Sequence, residues 1–223
     1  MNGLDGILHA VSVWALPLLL AITLHEAAHG FVAWLLGDDT ALRLGRVSAN
    51  PLRHVDPVGT VVLPGVLLLT GSPMMFGWAK PVPVDFGRLR RPRRDMVLVA
   101  LAGPGTNLVL ALISAALIHV AVMLPGDMQE FAGDNLINSM RINLVLAVFN
   151  MLPLPPLDGG RVAVGLLPDA LARPLAQLER FGMMILLGAL MLLPMIGLDV
   201  FPWLIGRPVY HLTTLVLMVA GLT

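Results

Sequence analysis

Cysteine is absent from the 223 residues. The chain therefore has no disulfide framework, no thiolate nucleophile and no thiolate ligand, and any metal it holds must sit on nitrogen and oxygen. Charge is scarce as well, with 13% Asp, Glu, Lys and Arg against about a quarter in an ordinary soluble domain. The 14 basic and 14 acidic side chains cancel, so the basic excess of a nucleic-acid binder and the high net charge of a disordered chain are both missing. What is present is apolar. Hydrophobic residues make up 57% of the chain and the mean hydropathy is +0.84, the composition of a membrane protein. So few charges cannot clothe a second soluble domain, and residues 1–223 read as a single membrane-embedded unit.

Stretches free of Asp, Glu, Lys and Arg cover 6–24, 57–79, 96–126, 142–157, 181–198 and 208–223. About 20 apolar residues cross the hydrocarbon core, so most are candidate spans. The first run stops at His25-Glu26, but apolar sequence resumes through Phe31 to Leu36, which predicts one long helix over about residues 6–36 with a polar cluster in its last third. A signal peptide is not expected, because no Lys or Arg precedes Arg43 and no small-residue cleavage site follows the apolar core. Basic residues orient the chain. Arg43, Arg46 and Arg53, then Lys80, Arg88, Arg90, Arg91, Arg93 and Arg94, then Arg161, Arg173 and Arg180 all fall on one side, leaving Arg141 and Arg207. Cytoplasmic loops are enriched in such residues, which places the N-terminus outside and the first helix running inward. A full crossing at 57–79 would send one basic loop outside. That segment also carries Pro57, Pro64, Pro73 and four glycines, so a re-entrant element lining a cavity is expected, with a sixth true crossing as the alternative. The expected fold is an all-α polytopic membrane protein of five or six transmembrane helices, with a re-entrant or short β element beside the active site.

The cluster in the first helix reads His25-Glu26-Ala27-Ala28-His29. Residues four apart share a helical face, so both imidazoles can point at one ion while Glu26 reaches water beside it. This is the spacing of zinc hydrolysis: the ion acidifies water and a neighbouring carboxylate takes the proton. Two core histidines beside a chance glutamate are the bland alternative, weakened because an ionisable residue in an apolar span costs about 2.5–3.5 kcal/mol. A third ligand is needed. His9, His119 and His211 are isolated in apolar sequence and read as satisfied buried or interfacial side chains, and His54 in the basic loop reads as solvated or bonded to its loop. Asp158 remains. It follows Pro153, Pro155 and Pro156 and precedes Gly159-Gly160, a turn that stops a helix and can aim a carboxylate sideways. Taken alone this is an ordinary capping turn; beside the histidines it completes a ligand set, since both segments run inward to similar depth.

The His-Glu-Ala-Ala-His helix is followed by Leu101-Ala102-Gly103-Pro104-Gly105-Thr106-Asn107, then Asn143-Leu144, Phe149-Asn150 and Leu157-Asp158-Gly159-Gly160-Arg161. In this order the chain resembles the site-2 protease family of intramembrane metalloproteases, specifically a compact prokaryotic branch without accessory domains. The resemblance implies that His25, His29 and Asp158 bind one Zn2+, that Glu26 is the general base, and that Asn150 holds the substrate backbone or the developing oxyanion. It implies a catalytic core at about 6–161 with a C-terminal helix pair at about 178–223. The partners would be a transmembrane protein substrate and the lipid bilayer of the cell membrane, with no nucleic acid and the active site toward the cytoplasm. Residues 77–84, Gly-Trp-Ala-Lys-Pro-Val-Pro-Val, resemble the family's edge strand near the active site. Trp78 and Ala79 would then bind an unwound substrate by strand addition; an extended surface loop with Trp78 as interfacial anchor is the alternative. Asn107 reads as an interhelical hydrogen bonder, with packing near the site as the alternative. The Arg88–Arg94 cluster reads as a topology determinant touching anionic lipid, and Met183, Met184, Met191 and Met195 as adaptable packing. A divalent-metal transporter and a catalytically silent scaffold are rival functions, though the sequence has no second His-Glu motif or internal repeat.

Overall fold

A computed structural model describes residues 3–69, 77–198 and 200–222. Among these residues the chain is helical, with no strand. Helix α1 (Gly3–Leu35) is a single run of 33 residues, apolar on every side as a helix between lipid and protein should be. It stops at Gly37, whose φ of +117° suits a residue without Cβ. After the short α2 (Thr40–Arg43) and a turn at Pro51–Arg53, Asp56 caps a π-helical turn over Pro57–Val62 by accepting from Val58 N–H at 3.0 Å and Gly59 N–H at 2.7 Å. This turn leads into α3 (Leu63–Leu69).

The expected element at 57–79 is thus a short apolar helix entered through a π turn, and residues 70–76 of it, with Gly71 and Pro73, lie outside the described residues. Residues 77–85 are extended without forming a strand, so the expected short β element has no ladder partner among the described residues.

Four longer helices and two of nine residues follow: α4 (Pro92–Ala121), α5 (Asp127–Asn150), the short α6 (Asp158–Leu166) and α7 (Asp169–Gln177), then α8 (Glu179–Met195) and α9 (Arg207–Val219). By length and composition Val11–Leu35 and Pro92–Ala121 can each cross a membrane, and α7 with α8, bent by 68° at their junction, make a third if they form one span. Helix α5 corrects the boundary expected at 142. It begins at Asp127 and carries Glu130, Asp134 and Arg141, so counting charge-free residues misses its first half. Asp127, Glu130 and Arg141 are exposed, and polar residues between them bond to neighbouring helices. Asn138 donates to the Val13 carbonyl at 3.2 Å, and the Ser139 and Ser114 hydroxyls meet at 2.8 Å.

These contacts also fix the helix directions. Val13 lies beside Asn138 at one end of the pair, while His25 lies beside Asp158, just past the end of α5, at the other. Helices α1 and α5 therefore run parallel. Helix α4 runs against both, since its Val99 meets His29 and its Asn107 meets His25 and Asn143. Small residues make the α4–α5 seam close: Ala111 and Ala115 pack with Met140, Leu144 and, from α9, Val216. The outward surfaces of α1 and α4 carry exposed Leu16, Leu18, Leu20, Val109, Leu112 and Ile113, an apolar exterior that fits lipid. Of the methionines, Met184 and Met195 are exposed on α8 rather than packed inside, and the side chain of Met191 lies outside the description.

Candidate metal centre

Each imidazole is oriented by its Nδ1. His25 Nδ1–H donates to Asn107 Oδ1 at 2.5 Å, and His29 Nδ1–H donates to the Val99 carbonyl at 2.7 Å. A backbone carbonyl can only accept, so the proton of His29 sits on Nδ1. Both Nε2 lone pairs are then left pointing inward, 3.1 Å apart.

Asp158 completes the group. Helix α5 ends at Asn150, and the Pro153, Pro155 and Pro156 loop folds back on the first turn of α6. Gly159 and Gly160 allow this. A Cβ on either would run into the backbone of Met151 and Leu152 or of Leu154 and Pro155. Gly182 of α8 closes on the Pro155 carbonyl from the other side. Asp158 is thereby held at the N-terminus of α6, where the helix dipole favours a carboxylate. Its Oδ2 lies 3.2 Å from His25 Nε2 and 3.3 Å from His29 Nε2.

Three acceptors face one another here with nothing to donate between them, and Asp158 Oδ2 is buried without a hydrogen-bond partner. Such a cluster calls for a cation. The donor set fits the zinc expected from the sequence: with bonds of about 2.0–2.1 Å, tetrahedral ligand atoms stand about 3.3 Å apart. Space is provided too, because a Cβ at Gly103 would stand 2.5 Å from His29 Nε2 and 2.6 Å from His25 Nε2. Among the described residues His25, His29 and Asp158 are the one group of His and carboxylate side chains with this convergence.

All seven residues singled out in the sequence line one cavity of about 430 Å³: His25, Glu26, His29, Trp78, Ala79, Asn150 and Asp158. Glu26 Oε2 accepts from Val82 N–H at 2.8 Å. The extended segment is tied along one edge, with Trp78 N–H to the Gly59 carbonyl at 3.1 Å and Lys80 N–H to the His54 carbonyl at 2.9 Å. On the same edge the Trp78 carbonyl accepts from the Thr60 hydroxyl and the Lys80 carbonyl from Arg46. Asn150 spends its amide N–H on the Leu146 carbonyl at 3.0 Å.

The other histidines stay away from the cavity. His54 is buried and bonded to the Ser48 carbonyl at 2.9 Å, so it serves its loop and is not solvated. His9 is 3.8 Å from Asp134, and His119 and His211 are exposed, the former bonded to the Ala220 carbonyl at 2.7 Å. Residues of the arginine cluster also make tertiary contacts. Arg93 ties α4 to the end of α6 through the Gly165 and Leu167 carbonyls and Asp169, and Arg88 pairs with Asp39 at 3.2 Å.

Asn107 bonds across helices as the sequence suggested, but a role for Val99 and Gly103 on the same α4 face was not read from the sequence. Val99, Gly103 and Asn107 follow one another at four-residue spacing, which puts a carbonyl, a gap and an amide on one helical face. That spacing was the available signal.

The chain is similar to known proteins. The profile described as peptidase family M50 matches residues 135–195, which include Asp158 but not the histidines. "Putative zinc metalloprotease YwhC" of Bacillus subtilis (strain 168) is 39% identical over 178 residues, 77% of each chain. "Putative zinc metalloprotease Rip2" of Mycolicibacterium smegmatis is 30% identical over 75% of this chain, which spans 62% of Rip2. "Putative zinc metalloprotease MJ0611" of Methanocaldococcus jannaschii is 45% identical over 64 residues, 29% of this chain and 31% of its own. No solved structure matches significantly. On the similarity to YwhC and the profile match together, the chain belongs to peptidase family M50, the site-2 protease family that its two motifs resemble.

Proposed function

We propose that the chain is an intramembrane zinc metalloprotease that hydrolyses peptide bonds of transmembrane or membrane-associated proteins near the cytoplasmic face of the cell membrane. The observation that carries this reading is the convergence of His25 Nε2, His29 Nε2 and Asp158 Oδ2 at 3.1–3.3 Å in a cavity that Glu26 also lines. The three side chains would hold one Zn2+, which supplies Lewis acidity toward a carbonyl oxygen and toward water. Glu26 follows His25 directly and lines the same cavity. Its carboxylate would take a proton from water and return it to the leaving amine. The Val82 N–H holds this carboxylate in place from outside the helix.

A transmembrane substrate hides its scissile bond in helical hydrogen bonds and must be unwound locally. With 78 and 80 bonded inward, the alternation of extended chain turns the backbone groups of Ala79 the other way. Pro81 has no N–H to offer, and its carbonyl lies 3.5 Å from the Arg46 guanidinium. An unwound substrate would pair there, with Trp78 packing beside it and Asn150 presenting its Oδ1 or amide to the substrate backbone. Positive residues on the loops orient the site toward the cytoplasm.

Zinc content and cleavage of a single-span substrate, measured for the native protein and Glu26→Gln, test the reading. Bound zinc in both, with cleavage lowered at least a hundredfold in the variant, is the expected result. Metal transport without cleavage, or no bound zinc, would overturn it.

A further inference from the structure

We propose that Asn107 is a positioning residue for metal binding: it holds His25 with Nε2 bare and aimed at the ion, and Asn143 and Ser139 hold Asn107. The inference rests on the metalloprotease reading and concerns residues outside the ligand set.

Two backbone carbonyls determine how this network is built. Asn107 Nδ2 lies 3.4 Å from the Ala21 carbonyl and 2.7 Å from Asn143 Oδ1. Asn143 Nδ2 lies 2.9 Å from the Ser139 carbonyl and 3.4 Å from the Ser139 hydroxyl. Carbonyls accept and never donate, so each amide must turn its NH2 toward its carbonyl. Asn143 is then obliged to offer Oδ1 to Asn107, and Asn107 is obliged to offer Oδ1 to His25 Nδ1. An amide flip at either residue would set donor against donor or acceptor against acceptor in a fully buried site, since Asn107 and Asn143 are 0% and 1% exposed. The proton of His25 is thereby confined to Nδ1.

The two ligands differ in a way that makes the inference testable. His29 is oriented by the Val99 carbonyl, which no substitution removes. His25 is oriented by a side chain. Glue between helices would require Asn107 to bond α1 or α5, but it would not require the bond to fall on the ligating imidazole. Partners of ligating histidines typically set metal affinity by about 10–100-fold.

The test uses the full-length chain in detergent, with zinc affinity read by competition against a chromophoric chelator and folding followed by circular dichroism. Asn107→Leu, which keeps the branched heavy-atom skeleton without polar atoms, is expected to bind zinc about 10–100-fold more weakly. Asn107→Asp keeps an acceptor on His25 Nδ1–H but loses the donor to Asn143 Oδ1 and the Ala21 carbonyl, so it is expected to bind zinc more weakly than native and more tightly than Asn107→Leu. Asn143→Leu should cost less than Asn107→Leu, and the double variant should bind no more weakly than Asn107→Leu alone, because Asn143 acts through Asn107. Native-like zinc affinity in a folded Asn107→Leu would overturn the inference. So would equal weakening by Asp and Leu, or losses that multiply in the double variant. Failure of the native chain to bind zinc would instead sink the metalloprotease reading, and this inference with it.

Discussion

Gly103 shows how a residue without a side chain can belong to a metal site. Its Cα faces both imidazoles, and an added Cβ would stand within 2.5–2.6 Å of His29 Nε2 and His25 Nε2. Gly103→Ala should weaken zinc binding at least tenfold. The helix itself should not suffer, because alanine favours a helix over glycine by about 0.8–1.0 kcal/mol. Chelator competition alongside a helix-content measurement checks both halves; undiminished zinc affinity would mean that α4 can shift away. Asp38 is the second residue whose role lies in its surroundings. It is fully buried, and its carboxylate accepts from Thr40 N–H at 3.0 Å, the Thr40 hydroxyl at 2.5 Å and Asp85 N–H at 2.7 Å. Burial by itself would raise its pKa. The Thr40 hydroxyl, the Asp85 and Thr40 amides and nearby Arg88 reverse that and hold it below the usual carboxylate value. A depressed folded pKa contributes stability that is present above the unfolded value of about 3.9 and is lost as pH falls through the folded one. Thermal unfolding midpoints should therefore drop as pH is lowered below about 4, and the drop should be shallower in Asp38→Asn.

At the scale of elements, the segment 77–85 is a strap rather than a strand. It is pinned at its far end by Asp85 N–H to Asp38 and by Val84 and Phe86 against Ala33, Leu89 and Val99. Among the described residues no hydrogen bond engages Ala79. Ala79→Pro removes that one N–H at a place where the chain is already extended, so the fold should tolerate it. If substrates dock on this edge, cleavage should fall by about tenfold, the value of one main-chain hydrogen bond, with zinc content unchanged; full activity would argue for docking elsewhere. The strap was legible as proline-rich extended chain. Its tie to Glu26 was not, because Val82 meets Glu26 across 56 positions of sequence. Helix α5 was legible only in its second half. Asp127, Glu130 and Asp134 look like loop residues until the fold places this end beside the N-terminal part of α1 and the C-terminal part of α4.

For the whole molecule, the ligands come from helices that are far apart in the chain. His25 and His29 belong to α1 and Asp158 to α6, so an ion bound there would directly join two helices that are otherwise held together through α4, which packs on both. Removing it with a chelator should lower the unfolding temperature, by an amount corresponding to about 2.7 kcal/mol when free zinc had been held at a hundred times its dissociation constant. A melting point indifferent to chelation would mean that the three side chains do not link the helices through metal.

The sequence by itself determined whatever depends on short-range periodicity and composition. It set a membrane protein without thiol chemistry, a helix placing His25 and His29 on one face with Glu26 beside them, and a Pro-rich turn ending in Asp158. These follow from the helical repeat and from backbone restrictions, which act over a few residues. Tertiary structure decided which face of α4 meets α1. That choice turned Val99, Gly103 and Asn107 from a helix stripe into an acceptor, a space and an orienting amide. It also decided that the strap would bond Glu26. Such contacts depend on helix rotation and on the mutual satisfaction of buried polar groups, which no local stretch of sequence specifies.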